Sequence, residues 1–86
     1  MKIKLAKTFV KNYDRADSKI KTAVDLRLKL FANDPHNPTL NNHNLKGKLV
    51  GFSSLNITGD WRIIFHIIEN DLAVLDKLGT HSELYR

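Results

Sequence analysis

Two apolar runs near the C-terminus, separated by a short polar segment, constrain the fold more than any other feature. Residues 59–68 are rich in Ile and include Trp and Phe, a composition that favours a buried strand. Residues 72–78 form a second apolar run, and the polar tripeptide at residues 69–71 has the length of a hairpin loop. The sequence therefore predicts a β-hairpin in the middle of a sheet.

Polar side chains lie at corresponding ends of the two predicted strands. Asp60 and Arg62 stand where the first strand begins, and His81 and Tyr85 follow the end of the second. In an antiparallel hairpin these two places are close in space. We therefore expect a carboxylate, a guanidinium, an imidazole and a phenol to meet at one edge of the sheet.

The N-terminal half predicts a strand followed by two helices. Residues 2–5 alternate between charged and apolar side chains, as in a short edge strand. The period then changes to that of a short helix up to Tyr13. Asp17 and Ser18 are N-cap candidates for a longer helix, which the Asn-Asp-Pro at residues 33–35 ends.

Between the helices and the hairpin, the sequence predicts a polar loop at residues 36–44 and a strand at residues 52–58. The expected fold is α+β, with two N-terminal helices packed on one face of a small, mainly antiparallel four-stranded sheet. Residues 1–86 form a single domain in this interpretation, and the uncovered face of the sheet is free to bind a ligand.

Basic charge is concentrated in the N-terminal third. Residues 1–31 contain nine basic and three acidic side chains, a balance of +6, whereas residues 60–86 contain three basic and five acidic ones, a balance of −2. This asymmetry favours a polyanionic partner, either a nucleic acid or an acidic protein. A solvated helix surface explains it equally well.

Several function classes are disfavoured by composition. The chain contains no cysteine, which removes disulfide and thiolate chemistry, and it has no apolar run long enough to span a membrane. The N-terminus lacks the apolar block of a signal peptide, so a cytoplasmic location is expected. The four histidines show no ligand spacing, so we expect no metal site and no cofactor.

Three motifs together resemble the RelE/ParE toxin superfamily, and most closely the YafQ-type messenger-RNA interferases. They are Leu45-x-Gly47, with His43 upstream; Gly-Asp-Trp-Arg-Ile-Ile-Phe at residues 59–65; and Gly-Thr-His-x-x-Leu-Tyr at residues 79–85. The resemblance extends over nearly the whole chain through its length, element order and basic N-terminal helices.

The resemblance implies the toxin of a type II toxin–antitoxin system, an endoribonuclease that cleaves mRNA, usually in the ribosomal A site. It implies an antitoxin partner, expected to be acidic and partly disordered when free. The implied catalytic residues are His43, Asp60, His81 and Tyr85; the implied phosphate or RNA contacts are Arg62, Lys46 and Lys48. Basic residues of the N-terminal region are expected to contact ribosomal RNA, namely Lys4, Lys7, Lys11, Lys19 and Lys21. The YafQ pattern has Asp and His at positions that we match to Ser54 and Asn56 of this chain.

The same residues satisfy what metal-independent RNA cleavage requires. A base must take the proton of a ribose 2′-hydroxyl, an acid must protonate the leaving oxygen, and a cation must meet the charge on the phosphate. Two histidines can divide the first two roles, and Asp60 can orient one imidazole. Arg62 has the planar donor fork that fits phosphate oxygens. Tyr85 can stack on a base or donate a proton.

Each residue also has a purely structural interpretation. Taken singly, His43 is a solvated loop residue, Asp60 a turn residue and Tyr85 a core aromatic, while Arg62 has Asp76 or Glu83 as a salt-bridge partner. His66 is expected to pack or hydrogen-bond within the sheet. Two other functions share the expected fold: a ParE-like toxin that acts on DNA gyrase without nuclease chemistry, and a non-catalytic RNA-binding protein.

Overall fold

A computed structural model describes residues 1–69 and 71–85 of the chain and shows an α+β fold. Its helices are α1 (Lys7–Arg15), α2 (Ser18–Asn33) and α3 (His81–Leu84). Its strands are β1 (Lys2–Leu5), β2 (His43–Asn44), β3 (Ser53–Thr58), β4 (Trp61–Ile68) and β5 (Leu72–Thr80). Across these described residues the strands form one sheet in the order β1-β5-β4-β3-β2. No helix in this part of the chain has the length and apolar character needed to cross a membrane.

The predicted hairpin is the centre of the sheet. Strands β4 and β5 pair antiparallel from Trp61 opposite Thr80 to Ile68 opposite Leu72. The register shifts where Ile64 faces Lys77 and the next residue of β4 faces Leu75, which leaves Asp76 as an extra residue of β5. Asn70, which belongs to the predicted loop, lies outside the described residues.

The predicted four-stranded, mainly antiparallel sheet needs correction. Within the described residues the sheet has a fifth strand, β2, in the segment predicted to be a loop, and β1 pairs parallel to β5. A strand of two residues is too short to produce an alternating pattern. The parallel pair joins opposite ends of the sequence, so no local signal specifies it. The short C-terminal helix α3 was also not predicted.

Helices α1 and α2 cover one face of the sheet, as predicted. Phe9 of α1 and Phe31 of α2 are buried against strand residues such as Phe65, whose ring lies 5.1 Å from that of Phe31. Asp17, rather than Ser18, caps α2, because its carboxylate accepts a hydrogen bond from the amide of Ile20. Burial of these aromatic residues fixes the helices on this side.

The other side of the sheet, which we call the open face, follows from strand register. Side chains alternate between the two faces of each strand, so the neighbours of core residues point away from the helices. These neighbours are Lys2 and Lys4 of β1, Lys77 and Gly79 of β5, Arg62, Ile64 and His66 of β4, Ser54 and Asn56 of β3, and His43 of β2. Lys4 was grouped with lysines of the two helices as an expected contact of ribosomal RNA, and this grouping needs correction, because Lys4 lies in the edge strand β1 and faces away from the helices.

Candidate functional site

The start of β4 and the start of α3 meet at one corner of the sheet. The amide of His81 donates a 2.9 Å hydrogen bond to the carbonyl of Asp60. The rings of His81 and Tyr85 lie 4.4 Å apart at an angle of 45°. The backbone of Asp60 and the rings of His81 and Tyr85 therefore lie at this corner, and the contact of Asp60 is made by its main chain.

Local interactions hold α3 in this position. Thr80 and Glu83 form a capping box, in which the Thr80 amide donates to Glu83 Oε1 over 2.8 Å and the Thr80 hydroxyl accepts from the Glu83 amide. Gly79 allows α3 to pack closely on β5, because a Cβ atom there would lie 3.3 Å from Glu83 Oε1 and from Leu84 Cδ2. The helix therefore carries His81 and Tyr85 to the open face.

A basic cleft, which we call the Tyr85 pocket, opens beside α3. It has a volume of about 330 Å³ and is lined by Lys46, Lys48, Leu49, Lys77, Leu84 and Tyr85. Lys46 and Lys48 were assigned to phosphate or RNA contacts from sequence, and their position beside Tyr85 is compatible with that role. The pocket combines a phenol ring and two leucines, which suit a base, with ammonium groups, which suit a phosphate. This combination is compatible with a bound nucleotide.

Lys77 was missed by sequence reasoning. In a regular strand, Asp76 and Lys77 would point to opposite faces. The bulge at Asp76 breaks this alternation. Consequently, Lys77 lines the Tyr85 pocket while Asp76 hydrogen-bonds His66 on the same face. An adjacent acid and base in an otherwise apolar strand was the available signal.

His43 lies on the far edge of the open face, on β2. Its Nδ1 lies 2.7 Å from the carbonyl of Asn41, a residue in the left-handed conformation with φ of 44°. A carbonyl oxygen only accepts, so Nδ1 carries a proton and a neutral ring keeps the lone pair on Nε2. The exposed imidazole is thus oriented as a proton acceptor.

Arg62 lies between Asn56 and Gly79 in the register of the sheet. Its Nη1 donates to the carbonyls of Gly59 and Trp61, at 2.8 and 3.0 Å. These bonds hold the guanidinium at the β3–β4 turn, with further N–H donors remaining on Nε and Nη2. Asp76, one of the alternative partners, instead accepts from His66 Nδ1 over 2.7 Å, which agrees with the structural role predicted for His66.

Ser54 and Asn56, at which we expect a departure from the YafQ pattern, lie on the open face. Ser54 is fully buried, and its hydroxyl has no hydrogen-bond partner among the described residues; the same holds for Oδ1 of Asn56. Buried polar atoms without partners are uncommon and destabilising. Neither side chain carries a group that transfers protons at neutral pH.

The remaining predicted RNA contacts lie on the helical layer, away from the Tyr85 pocket. Lys7 and Lys11 belong to α1, and Lys19 and Lys21 to α2. The ammonium of Lys21 lies 5.7 Å from the centre of the Tyr13 ring, and the Tyr13 hydroxyl donates to Asp25. That hydrogen bond, followed by desolvation and the charges of Asp25 and Asp14, raises the pKa of Tyr13.

Comparison with known proteins assigns the class. The sequence profile of the YafQ toxin, described as a bacterial toxin of a type II toxin–antitoxin system, matches residues 1–86. The open-face arrangement therefore belongs to a type II toxin with a RelE-like α+β fold. The chain is a member of the YafQ toxin family. No protein of curated function shows significant similarity to it.

Solved structures agree with this assignment. A conserved hypothetical protein from Helicobacter pylori is 31% identical, with 99% of both chains covered and a TM-score of 0.76. YafQ from E. coli strain BL21(DE3) is 19% identical, with 98% of this chain and 97% of that chain covered and a TM-score of 0.82. In the E. coli DinJ–YafQ toxin–antitoxin complex, the matching chain has 19% identity, coverage of 98% and 96%, and a TM-score of 0.79. At 19% identity the E. coli structures show a common fold.

Proposed function

We propose that this chain is a metal-independent endoribonuclease that cleaves mRNA, bound in the ribosomal A site, by general acid–base catalysis. The observation that carries the proposal is the contact of His81 with Tyr85 beside a lysine-lined pocket. Membership of the YafQ family supports it. A gyrase-binding toxin has no need of this arrangement.

In the proposed reaction, the RNA lies across the open face. His43 Nε2 takes the proton of the ribose 2′-hydroxyl, because its Nδ1 proton is held by the Asn41 carbonyl. The 2′-oxygen attacks phosphorus and the bond to the 5′-oxygen breaks, which leaves a 2′,3′-cyclic phosphate. His81 is assigned to donating a proton to the departing 5′-oxygen. Because β3 and β4 separate the β2 edge with His43 from the end of β5 with His81, this assignment requires the two imidazoles to approach the same phosphodiester when RNA binds.

Other residues position the RNA and stabilise charge. Arg62, whose guanidinium is held at the β3–β4 turn, and the lysines of the Tyr85 pocket face the charge that develops on the phosphate. Tyr85 stacks on a base next to the scissile bond. Asp60, whose carbonyl fixes the start of α3, is assigned to orienting His81.

The decisive experiment measures cleavage of a defined mRNA, alone and on translating ribosomes. His81→Ala is expected to lower the rate by about 100-fold or more, the usual contribution of a positioned acid or base. His36→Ala removes another exposed histidine, in the loop before β2, and is expected to leave the rate unchanged. EDTA is also expected to leave it unchanged.

Three results contradict the proposal or one of its parts. If the native protein cleaves no mRNA with or without ribosomes, the enzyme assignment is wrong. If His81→Ala cleaves at the native rate, His81 has no part in the mechanism. Loss of activity with EDTA rules out metal independence.

A non-catalytic RNA-binding toxin is the second candidate. It is favoured by Ser54 and Asn56, which stand where the family pattern has an acid and an imidazole. RNA binding without cleavage by the native protein distinguishes this candidate from the first.

An acidic antitoxin is the proposed partner. The chain carries a net charge of +5, and the E. coli relative is found in a complex with DinJ. A disordered acidic tail that folds on binding covers a large surface, including the active-site edge. The basic helices are assigned to contacts with ribosomal RNA in the absence of this partner.

A further inference from the structure

A second group of open-face residues lies beyond the Tyr85 pocket. In the register of the sheet, Lys4 of β1 is paired with Val74 of β5, and Val74 is paired with His66 of β4. We call these side-by-side residues the His66 row. Neighbouring strands lie about 4.8 Å apart, so the row is roughly 10 Å wide at the backbone. A row of this width accommodates a single nucleotide.

The His66 ring is held in a fixed orientation. Its Nδ1 donates to Asp76 Oδ2 over 2.7 Å, and the Phe52 ring packs against it edge-on at 5.5 Å and 75°. The side chain still exposes 32% of its surface. Val74 adds a half-buried apolar floor beside it. A fixed planar ring next to an apolar floor is the kind of surface on which unpaired bases stack.

Positive charge flanks this surface on two sides. Lys4 is exposed at the β1 end, and Lys77 stands on β5 between the row and the Tyr85 pocket. Asp76 is the carboxylate nearest the ring, and one of its oxygens is engaged by His66. The charges therefore suit a phosphate on either side of a stacked base.

We propose that the His66 row is a second nucleotide subsite for single-stranded RNA. A base packs against His66 and Val74, and the adjoining phosphates contact Lys77 and Lys4. RNA bound in the Tyr85 pocket thus continues over β5 to the β1 edge of the open face. This proposal rests on the proposed function, because it takes RNA as the substrate.

The test uses the His81→Ala protein, so that binding is measured without cleavage. Fluorescence anisotropy gives affinities for labelled single-stranded RNAs of two to six nucleotides. Lys4→Gln is expected to weaken binding of the longer RNAs about three- to five-fold at low salt and to leave the dinucleotide unaffected. The slope of log affinity against log salt should fall by about 0.7, the value for one phosphate contact on a single strand. The matched control is Lys29→Gln, an exposed lysine of α2, which should change neither quantity.

Variants of His66 test the stacking surface. His66→Ala is expected to lower the affinity for the longer RNAs about five-fold or more. His66→Phe retains a planar ring and is expected to keep most of the affinity. Thermal unfolding of each variant confirms that it is folded.

The outcomes separate this subsite from the proposed function. If Lys4→Gln and Lys29→Gln change RNA affinity equally, the subsite proposal is wrong. It is also wrong if His66→Phe and His66→Ala are folded and lose the same affinity. In both cases RNA binding at the Tyr85 pocket stands. If neither the native protein nor the His81→Ala protein binds RNA of any length, the proposed function itself fails.

Discussion

Ser53 and Ser54 are neighbours on β3 with opposite hydrogen-bonding environments. The Ser53 hydroxyl donates to Asn44 Oδ1 over 3.0 Å and so links β3 to β2. The Ser54 hydroxyl is buried and has no partner among the described residues. A buried hydroxyl without a partner opposes folding, whereas a hydrogen-bonded one contributes to stability.

This difference predicts opposite effects of one substitution. Ser54→Ala is expected to leave the free energy of unfolding unchanged or to raise it by about 1 kcal/mol, because it removes an unsatisfied group. Ser53→Ala is expected to lower it by about 0.5–1 kcal/mol, because it removes a hydrogen bond. Urea unfolding of both variants measures the two values. A larger loss in Ser54→Ala than in Ser53→Ala would show that the Ser54 hydroxyl has a partner in solution.

At the scale of secondary-structure elements, α3 is the element that links fold to chemistry. It is only four residues long and carries His81 at its start, with Tyr85 immediately after it. A helix this short has no stability of its own, so it depends on the capping box and on contact with Gly79. The positions of both rings are therefore sensitive to the cap.

The capping box gives a prediction at this scale. Thr80→Ala removes the hydroxyl that accepts from the Glu83 amide, a loss of roughly 1 kcal/mol. We expect this to loosen α3 and to lower RNA cleavage about five-fold, with little change in far-UV circular dichroism. Thr80→Ser keeps a hydroxyl at the same place and should retain most of the activity. Equal cleavage by native, Thr80→Ala and Thr80→Ser proteins would separate the cap from catalysis.

The elements that were predicted from sequence are those with a local signal. The central hairpin has two long apolar runs, and α2 has a capping Asp17 and a terminating Pro35, so both were recognised. Strand β2 and the β1–β5 pairing depend on contacts between distant segments, and neither leaves a periodic pattern. Lys77 was missed for a related reason. The adjacent acid and base at residues 76–77 are a local sign of irregularity, but the face on which Lys77 lies follows only from the register of the bulge. The meeting of His81 with Asp60 was foreseen because antiparallel pairing alone requires it.

At the scale of the whole molecule, the sheet separates two basic surfaces. The open face carries Lys4, Lys77 and the other lysines of the Tyr85 pocket, whereas Lys7 and Lys11 belong to α1 and Lys19 and Lys21 to α2. The single basic N-terminal region expected from the sequence is thus divided between the two sides of the molecule. Different roles for the two sides follow from this arrangement.

The helical lysines are predicted to serve ribosome binding rather than chemistry. Replacing Lys7, Lys11, Lys19 and Lys21 together by Gln should weaken ribosome binding and flatten its dependence on salt. The single-turnover cleavage rate at saturating ribosome concentration should stay near the native value, because the Tyr85 pocket is unchanged. Sedimentation with ribosomes and rapid-quench kinetics provide the two measurements. A collapse of the rate with intact ribosome binding would reverse the assignment.

Control by an antitoxin is the last prediction, and it concerns both surfaces. The described residues are committed to one sheet and the helices that cover it, so the corner with His81 and Tyr85 is accessible to an external inhibitor. An acidic protein that folds on this surface is attracted by the net charge of +5 and competes with RNA for the same lysines. We expect expression of the chain alone to arrest growth, and co-expression with an acidic protein encoded beside it to restore growth.

The complex should elute earlier than the free chain in gel filtration, and adding the partner should displace bound RNA. Failure of that neighbouring protein both to form a complex and to restore growth would exclude it as the antitoxin. If expression of the chain alone is harmless, the non-catalytic candidate is favoured, and Ser54 and Asn56 are the first positions to replace by the Asp and His expected from the YafQ pattern.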